Sequence, residues 1–253
     1  MRLIPLQSGS AGNCVLVEGG GVRVLFDAGI SAKRITERLQ VHGIEPSSID
    51  ALMISHEHSD HISAAGILAR RWRIPLYLTE ATYAASRVVL GAEVPWRRFT
   101  AGDCVRIGAL GIETIPTPHD AVDGVVFIAS DGRHRLGIMT DFGHVFAWLP
   151  GYVESLDAVY LESNYDAQLM RDGPYPPALK RRITGPGGHI SNDESAELIA
   201  SAGGRLRWAC LAHLSAANNQ PRLVLETHRR RYGDGLALAI AERHLASAPL
   251  TLE

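Results

Sequence analysis

Residues 55–61 read Ser-His-Glu-His-Ser-Asp-His, and any fold for this chain has to turn that heptapeptide around one point. His56, His58, Asp60 and His61 place three imidazoles and a carboxylate within six positions. Neutral imidazole and carboxylate are ligands for borderline divalent metals. On a continuous α-helix these spacings would scatter the side chains around the axis, so convergence calls for a loop. The run before it, residues 50–54, is short, apolar and strand-like. Residues 62–73 carry Ile62, Ala65, Leu68 and Ala69 at helical spacing. The cluster therefore falls at a strand-to-helix turn, where open α/β sheets hold ligands. A lone histidine is more often a surface or core residue, but four candidate ligands packed into one strand end point to metal.

The rest of the chain is compatible with a soluble enzyme. Its 253 residues are 46% hydrophobic and 21% charged, ordinary globular values that suit one large α/β domain, read here as a single domain over 1–253. No segment approaches about 18 consecutive apolar residues, so no membrane helix is expected. The first residues enter a strand-like run without the apolar core of a signal peptide, which predicts a cytoplasmic location. Cys14, Cys104 and Cys210 are widely spaced in or beside apolar strand-like stretches, so buried thiols are expected rather than a disulfide framework. The net charge of −2 does not by itself advertise nucleic acid. Of the 25 basic residues, however, only Lys33 and Lys180 are lysine. The arginines cluster at 70–73, 97–98, 181–182 beside Lys180, and 229–231. Arginine's planar fork suits phosphate, although such runs are also ordinary solvated faces.

Strands are expected at 3–7, 14–18 and 22–26, separated by the turn-type segments 8–13 and 19–21. Ser31 caps a helix to about residue 42. A short strand at 76–78 and a helix at 80–89 follow the metal loop. Strands at 104–107, 111–115, 124–130, 134–140, 157–161 and 207–212 alternate later with helices at 178–183, 191–202 and 218–232. Strand groups in both halves with helices between them suit two sheets between helical layers.

The pattern H-x-H-x-D-H resembles the signature of the metallo-β-lactamase superfamily, which implies a four-layer αββα sandwich. The resemblance demands further ligands at later strand ends, and the chain offers them. His119 follows the strand 111–115, Asp141 ends the strand 134–140, and His213 ends the strand 207–212. By the superfamily pattern His56, His58 and His119 hold one divalent metal, Asp60, His61 and His213 hold a second, and Asp141 bridges them. Asp27, in Phe-Asp-Ala-Gly, supports the metal loop. Imidazole-rich ligation suits Zn²⁺, and Mn²⁺ or Fe²⁺ also fit.

Other motifs resemble the nuclease side of the superfamily. The order of Glu162-Ser163-Asn164, Gly188-His189-Ile190-Ser191-Asn192 and Ala212-His213-Leu214-Ser215 is similar to tRNase Z-like enzymes, although Gly-His-Ile-Ser departs by one residue from that family's Gly-His-Ser-Thr. Together with Ser8-Gly9-Ser10-Ala11-Gly12-Asn13-Cys14, these motifs resemble the YycJ/WalJ-like family of metal-dependent DNA exonucleases over nearly the whole chain. That resemblance implies phosphodiester cleavage on DNA, 5′–3′ exonuclease-like, by a hydroxide generated at the metal pair. Asp60 would orient or deprotonate the water, and His189, held by Glu162, would protonate the leaving oxygen. His189 could instead belong to the cap of the helix opened by Ser191 and Glu194. Ser8, Ser10, Asn13 and Asn164 are candidate substrate contacts, while the loop 8–13 reads equally as a hairpin turn. A hydrolase of a small substrate, such as a cyclic phosphodiester or a thioester, is the alternative. A homodimer is left open.

Overall fold

The computed structural model describes residues 1–91 and 93–253. The chain forms two compact units: Met1–Pro116 with Ala121–Arg133 and Glu242–Glu253, and Thr117–Asp120 with His134–Ala241.

The first unit begins with an antiparallel meander of β1 (Arg2–Gln7), β2 (Cys14–Gly19) and β3 (Val22–Phe26). Gly20 and Gly21 make the β2–β3 turn at φ 59° and 79°, a conformation that favours glycine. Helix α1 (Ala32–Val41) starts at Ser31, whose hydroxyl accepts from Arg34 N. The strands β4 (Ala51–Met53), β5 (Leu76–Leu78) and β6 (Trp96–Arg98) then add in parallel to β3. Between them lie the single turn α2 (Ser59–Ile62), α3 (Ala65–Trp72) and α4 (Glu80–Leu90). The core is where α1 and α3 cover this sheet: Ile35, Leu39, Leu68 and Ala69 pack in one cluster with Leu16, Leu25, Leu52 and Leu76. A Cβ on Gly66 would lie 2.0 Å from Leu90 O, so α3 passes too close to the end of α4 for any side chain there. An antiparallel ribbon of β7 (Cys104–Ile107), β8 (Leu110–Pro116) and β9 (Val125–Ser130) completes the main part of the unit. Phe127 of this ribbon meets Phe26 of β3 with ring centroids 5.1 Å apart.

The second unit holds a parallel sheet of β10 (Arg135–Met139), β11 (Ala158–Glu162), β12 (Trp208–Ala212) and β13 (Ala237–Ile240), with β11 and β12 in the middle. Its helices are α5 (Leu149–Glu154), α6 (Ala167–Asp172), α7 (Pro177–Ile183), α8 (Asn192–Ser201) and α9 (Pro221–Tyr232). Strands β11 and β12 are buried throughout, which explains why they read as continuous apolar runs without alternation. The registers Met139↔Leu161 and Leu161↔Leu211 bring the C-terminal ends of β10, β11 and β12 level with one another. The last strand, β14 (Leu250–Thr251), returns to the first unit and pairs with β1.

Three expectations need correction. Asp60 and His61 lie in α2 rather than on a loop: His58 O accepts from both His61 N and Ile62 N, and a carboxylate in a first helical turn is electrostatically favoured. The helix expected over 62–73 accordingly begins at Ala65. Cys14 and Cys210 are buried, but Cys104 is exposed. It opens β7 on the exposed side of a strand whose inward residue is Ile107.

Candidate metal centre

In the first unit the site is organised around Asp27. The residue follows the end of β3, turns the chain at φ 61°, and its backbone N–H bonds Met53 O of β4. Asp, Asn and His tolerate this left-handed region better than other non-glycine residues. The turn places a buried carboxylate beneath the heptapeptide. Asp27 Oδ1 accepts from Ser55 N at 2.8 Å, the Ser55 hydroxyl lies 3.0 and 2.9 Å from the two carboxylate oxygens, and Oδ2 accepts from His61 Nδ1 at 2.8 Å. A hydroxyl has one proton. Given to Asp27, it leaves the Ser55 oxygen to accept from His56 Nδ1 at 2.9 Å. One carboxylate thus fixes both His56 and His61 with the proton on Nδ1 and the lone pair on Nε2, the tautomer a metal ligand needs.

The loop 8–13 braces the same segment. Asn13 N donates to Asp60 O at 2.8 Å and Gly29 N to Asn13 O at 2.8 Å. A Cβ on Gly29 would lie 1.6 Å from Asp60 O, so this contact requires glycine. The Asn13 side chain accepts from Gly9 N and directs its amide to Asp60 O and His61 Nε2, at 3.3 and 3.0 Å. Glu57, between the candidate ligands, accepts from Val122 N at 2.9 Å. His58 is half-buried, with its ring edge-on to His56 at 4.6 Å. Of the four expected substrate contacts, Ser10 is exposed, whereas Ser8, Asn13 and Asn164 are buried.

In the second unit the level ends of three parallel strands supply the groups. Asp141 lies just past β10, Glu162 is the last residue of β11, and His213 lies just past β12. Asp141 and His213 turn at φ 63° and 55°, as Asp27 does. All three side chains are buried, Glu162 completely. His189 joins them from the segment before α8: Asn164 N bonds Ile190 O, and Tyr165 bridges Ser191. His189 Nδ1 lies 2.7 Å from Glu162 Oε1, His213 Nδ1 lies 3.3 Å from the same oxygen, and His213 Nε2 lies 3.4 Å from Asp141 Oδ1. Burial opposes ionising Glu162, but the positive charge of His189 and the bonds from His189 and His213 outweigh it and hold the carboxyl below the usual range. The converse holds for His189. Burial opposes its charge, and Glu162 more than offsets it and raises the imidazole above its ordinary value. The Ser191–Glu194 capping box is also present, so cap and His189–Glu162 pair coexist on adjacent residues.

His119 is held by its loop. Its Nδ1 donates to Gly188 O at 3.1 Å, Asp120 N donates to Gly187 O at 3.0 Å, and Gly143 N donates to Pro118 O at 2.7 Å. Burial, the largest influence, keeps its pKa below the ordinary histidine value and so favours the neutral, ligating form. His213 follows the same rule, with Nδ1 turned to Glu162 and Asn164 Nδ2 donating to its carbonyl at 2.8 Å. Beneath these groups Ser163, Asn192 and Asn219 form a buried network: Ser163 Oγ donates to Asn192 Oδ1 at 2.7 Å, and Asn219 Nδ2 to the carbonyls of Ser163 and Asn164, each at 2.9 Å. Sequence reasoning gave no role to Ser55 or to this network. The only signal was that Ser163 and Asn192 fall inside the later motifs.

The donor chemistry fits a divalent metal. Four histidines, His56, His61, His119 and His213, have Nδ1 engaged by a neighbour, which leaves Nε2 as the nitrogen that could ligate. In the second unit Asp141, Glu162, His189 and His213 each offer a ligand atom within 4.8 Å of the others. Glu162 is the least suited of the four because its oxygen already serves two histidines. The thiols of Cys14 and Cys210 are pushed up by burial, which makes them inert.

Comparison with known proteins agrees with this chemistry. Residues 8–171 match the family described as the metallo-beta-lactamase superfamily. The chain is 36% identical over 224 residues to the protein named Exodeoxyribonuclease WalJ of Streptococcus pneumoniae, covering 87% of this chain and 83% of that one. It is 32% identical to Exodeoxyribonuclease YycJ of Bacillus anthracis, covering 87% and 84%. Among solved structures, the metallo-beta-lactamase fold protein YhfI of Bacillus subtilis superposes with a TM-score of 0.77 at 18% identity, covering 97% and 98%. The architecture is therefore the αββα sandwich.

Proposed function

We propose, from the premise that this chain belongs to the metallo-beta-lactamase superfamily and within it to the family of the WalJ and YycJ exodeoxyribonucleases, that it is a two-metal phosphodiesterase trimming DNA from an end, in the 5′–3′ direction. The two compact units together make one domain of that family. The pair of Glu162 and His189 carries the reading: a buried carboxylate holds a partly exposed imidazole, and raises its pKa, beside Asp141 and His213. A phosphodiester is already anionic and resists attack, so a site that supplies both charge and a proton suits it.

By the superfamily pattern His56, His58 and His119 would hold one ion, Asp60, His61 and His213 would hold the other, and Asp141 would serve both. Zinc suits the imidazole majority, and manganese or iron would also be accepted. The chemistry such ions would supply is neutralisation of phosphate charge and a more acidic attacking water. Asp60 accepts the proton of that water as its oxygen bonds to phosphorus. His189 donates its Nε2 proton to the leaving oxygen as the old phosphorus–oxygen bond breaks, and Glu162 holds the ring in place through Nδ1. The products are a nucleoside monophosphate and a strand shorter by one residue.

A cytoplasmic location is part of this reading. It draws on the unpaired cysteines and on the finding that, among the described residues, no helix is long and apolar enough to cross a membrane. The decisive experiment uses end-labelled DNA with EDTA, then with zinc or manganese restored. Stepwise cleavage should vanish with EDTA and return with metal. Cleavage that survives EDTA, or none on any phosphodiester, sinks the proposal.

A further inference from the structure

Lys180, Arg181 and Arg182 form the last turn of α7, and the sequence left open whether such a cluster touches phosphate or merely faces solvent. Two of the three have structural work. Lys180 Nζ donates to Arg171 O at 2.6 Å, and Arg182 Nε pairs with Asp120 Oδ2 at 2.7 Å, beside His119. Arg181 is exposed, and among the described residues no hydrogen bond or ion pair engages its guanidinium.

The segment after α7 is a hub for the second unit's site. His189 N donates to Ile183 O at 2.8 Å, Asp120 N to Gly187 O, and His119 Nδ1 to Gly188 O. On the same segment, His144 Nδ1 donates to Pro186 O at 2.9 Å, and a Cβ on Gly143 would lie 2.0 Å from that oxygen. The chain leaving Asp141 is therefore pressed onto the segment that carries His189. It leads straight to Trp148, which is 67% exposed and meets Phe146 edge-on at 6.3 Å. A single exposed apolar residue needs no explanation, and an arginine in a last helical turn can simply complement the helix dipole. Here Lys180 and Arg182 stand in the same turn as two further cations, each with a partner elsewhere. Arg181 lies two residues before Ile183, whose carbonyl accepts from His189 N, and the exposed indole of Trp148 lies four residues past His144, whose ring bonds Pro186 O. A cation for the backbone and an aromatic face for a base are the two components of single-strand recognition.

We propose that Arg181 and Trp148 form a landing surface for single-stranded nucleic acid, Arg181 holding a backbone phosphate and Trp148 stacking a base. The proposal rests on the phosphodiesterase reading and narrows it to substrates with unstacked bases at the cleaved end.

The test measures binding of a short single-stranded oligonucleotide to the full chain in EDTA, by quenching of tryptophan fluorescence, alongside cleavage with metal present. Trp148→Ala should weaken binding by roughly 5- to 100-fold and remove most of the quenching, as loss of one stacked base does. Arg181→Ala should lower the slope of log affinity against log salt by about 0.7, the value for one phosphate contact on a single strand, and Arg181→Lys should restore it. In cleavage both variants should raise KM for the oligonucleotide, with a loss about tenfold larger than for bis(4-nitrophenyl) phosphate. Variants that bind with wild-type affinity and salt dependence overturn the proposal. So does an equal loss on both substrates, which would show general damage to the fold. Wild-type protein that binds single strands as described but cleaves no diester would overturn the nuclease reading and leave the landing surface standing. Cleavage of DNA that neither variant alters would do the reverse.

Discussion

In the first unit the candidate ligands come from one continuous segment, 55–61, whereas in the second Asp141, Glu162 and His213 come from the level ends of three neighbouring parallel strands and His119 from the loop 117–120. Each arrangement has one buried carboxylate facing two histidines. Asp27 stands behind His56, through Ser55, and behind His61, both of which present Nε2. Glu162 stands behind His213, a candidate ligand, and behind His189, whose ring is partly open. The same device therefore serves different ends. The first carboxylate orients candidate ligands, and the second also holds the histidine proposed as proton donor and raises its pKa. The strand-end turns are shared, since Asp27, Asp141 and His213 all adopt φ between 55° and 63°. Such strained backbone persists only where its surroundings hold it, and it clusters at functional sites.

The largest expected effect breaks this comparison on the second side. Glu162→Gln keeps the shape and one acceptor for His213 but removes the charge that holds His189. The rate constant kcat should fall by roughly 10²- to 10³-fold, the range of a lost positioned acid. Metal content should stay near wild type, and excess metal should not restore the rate. Recovery at high metal would make Glu162 a support for the ligands alone and erase the contrast. The complementary change, Asp27→Asn, keeps the left-handed turn, which asparagine tolerates. It removes an acceptor from His61 or Ser55, and metal affinity should weaken by about 10- to 100-fold. Here activity should return as metal is raised. A titration in which saturating metal leaves kcat low would sink the assignment of Asp27 to the ligands.

Much of this arrangement was written in local sequence. His119, Asp141 and His213 each follow a short apolar run, so strand ends and ligand types were legible together. Less legible were short elements without a period to read. β6 spans three residues, α5 and α6 six each, and β13 four. β6 includes Arg97 and Arg98, which read as a charge cluster because an edge strand need not look apolar. Asp166 caps α6, but six residues are too few to show a helical face. Hidden altogether was the hydrogen bonding that selects tautomers. Ser55 matters because Asp27, on another strand, lies 2.9 Å from its hydroxyl, and nothing local announces that distance. The network of Ser163, Asn192 and Asn219 is of the same kind.

His228 offers the smallest test and the cleanest contrast with the ligand histidines. On α9 its Nδ1 donates to Val224 O at 2.9 Å, just as the ligands' Nδ1 atoms are anchored. Its Nε2, however, faces the Ser195 hydroxyl of α8 at 3.2 Å, and among the described residues no other metal-ligating side chains gather around it. Burial keeps its pKa below the ordinary value, outweighing the Val224 carbonyl and Asp193, which push it up. The unfolded chain therefore takes up a proton more readily than the folded one. The stability His228 provides is fully present above the unfolded pKa, about 6.5, and is lost as pH falls through the lower folded value. His228→Gln should cost about 1 kcal/mol at neutral pH, one buried hydrogen bond, with no change in metal content. In urea unfolding, the gap between wild type and variant should close as the solution is acidified below neutrality. A gap independent of pH would mean that the ring is not held neutral by burial. A loss of bound metal would mean that His228 is more than a structural histidine.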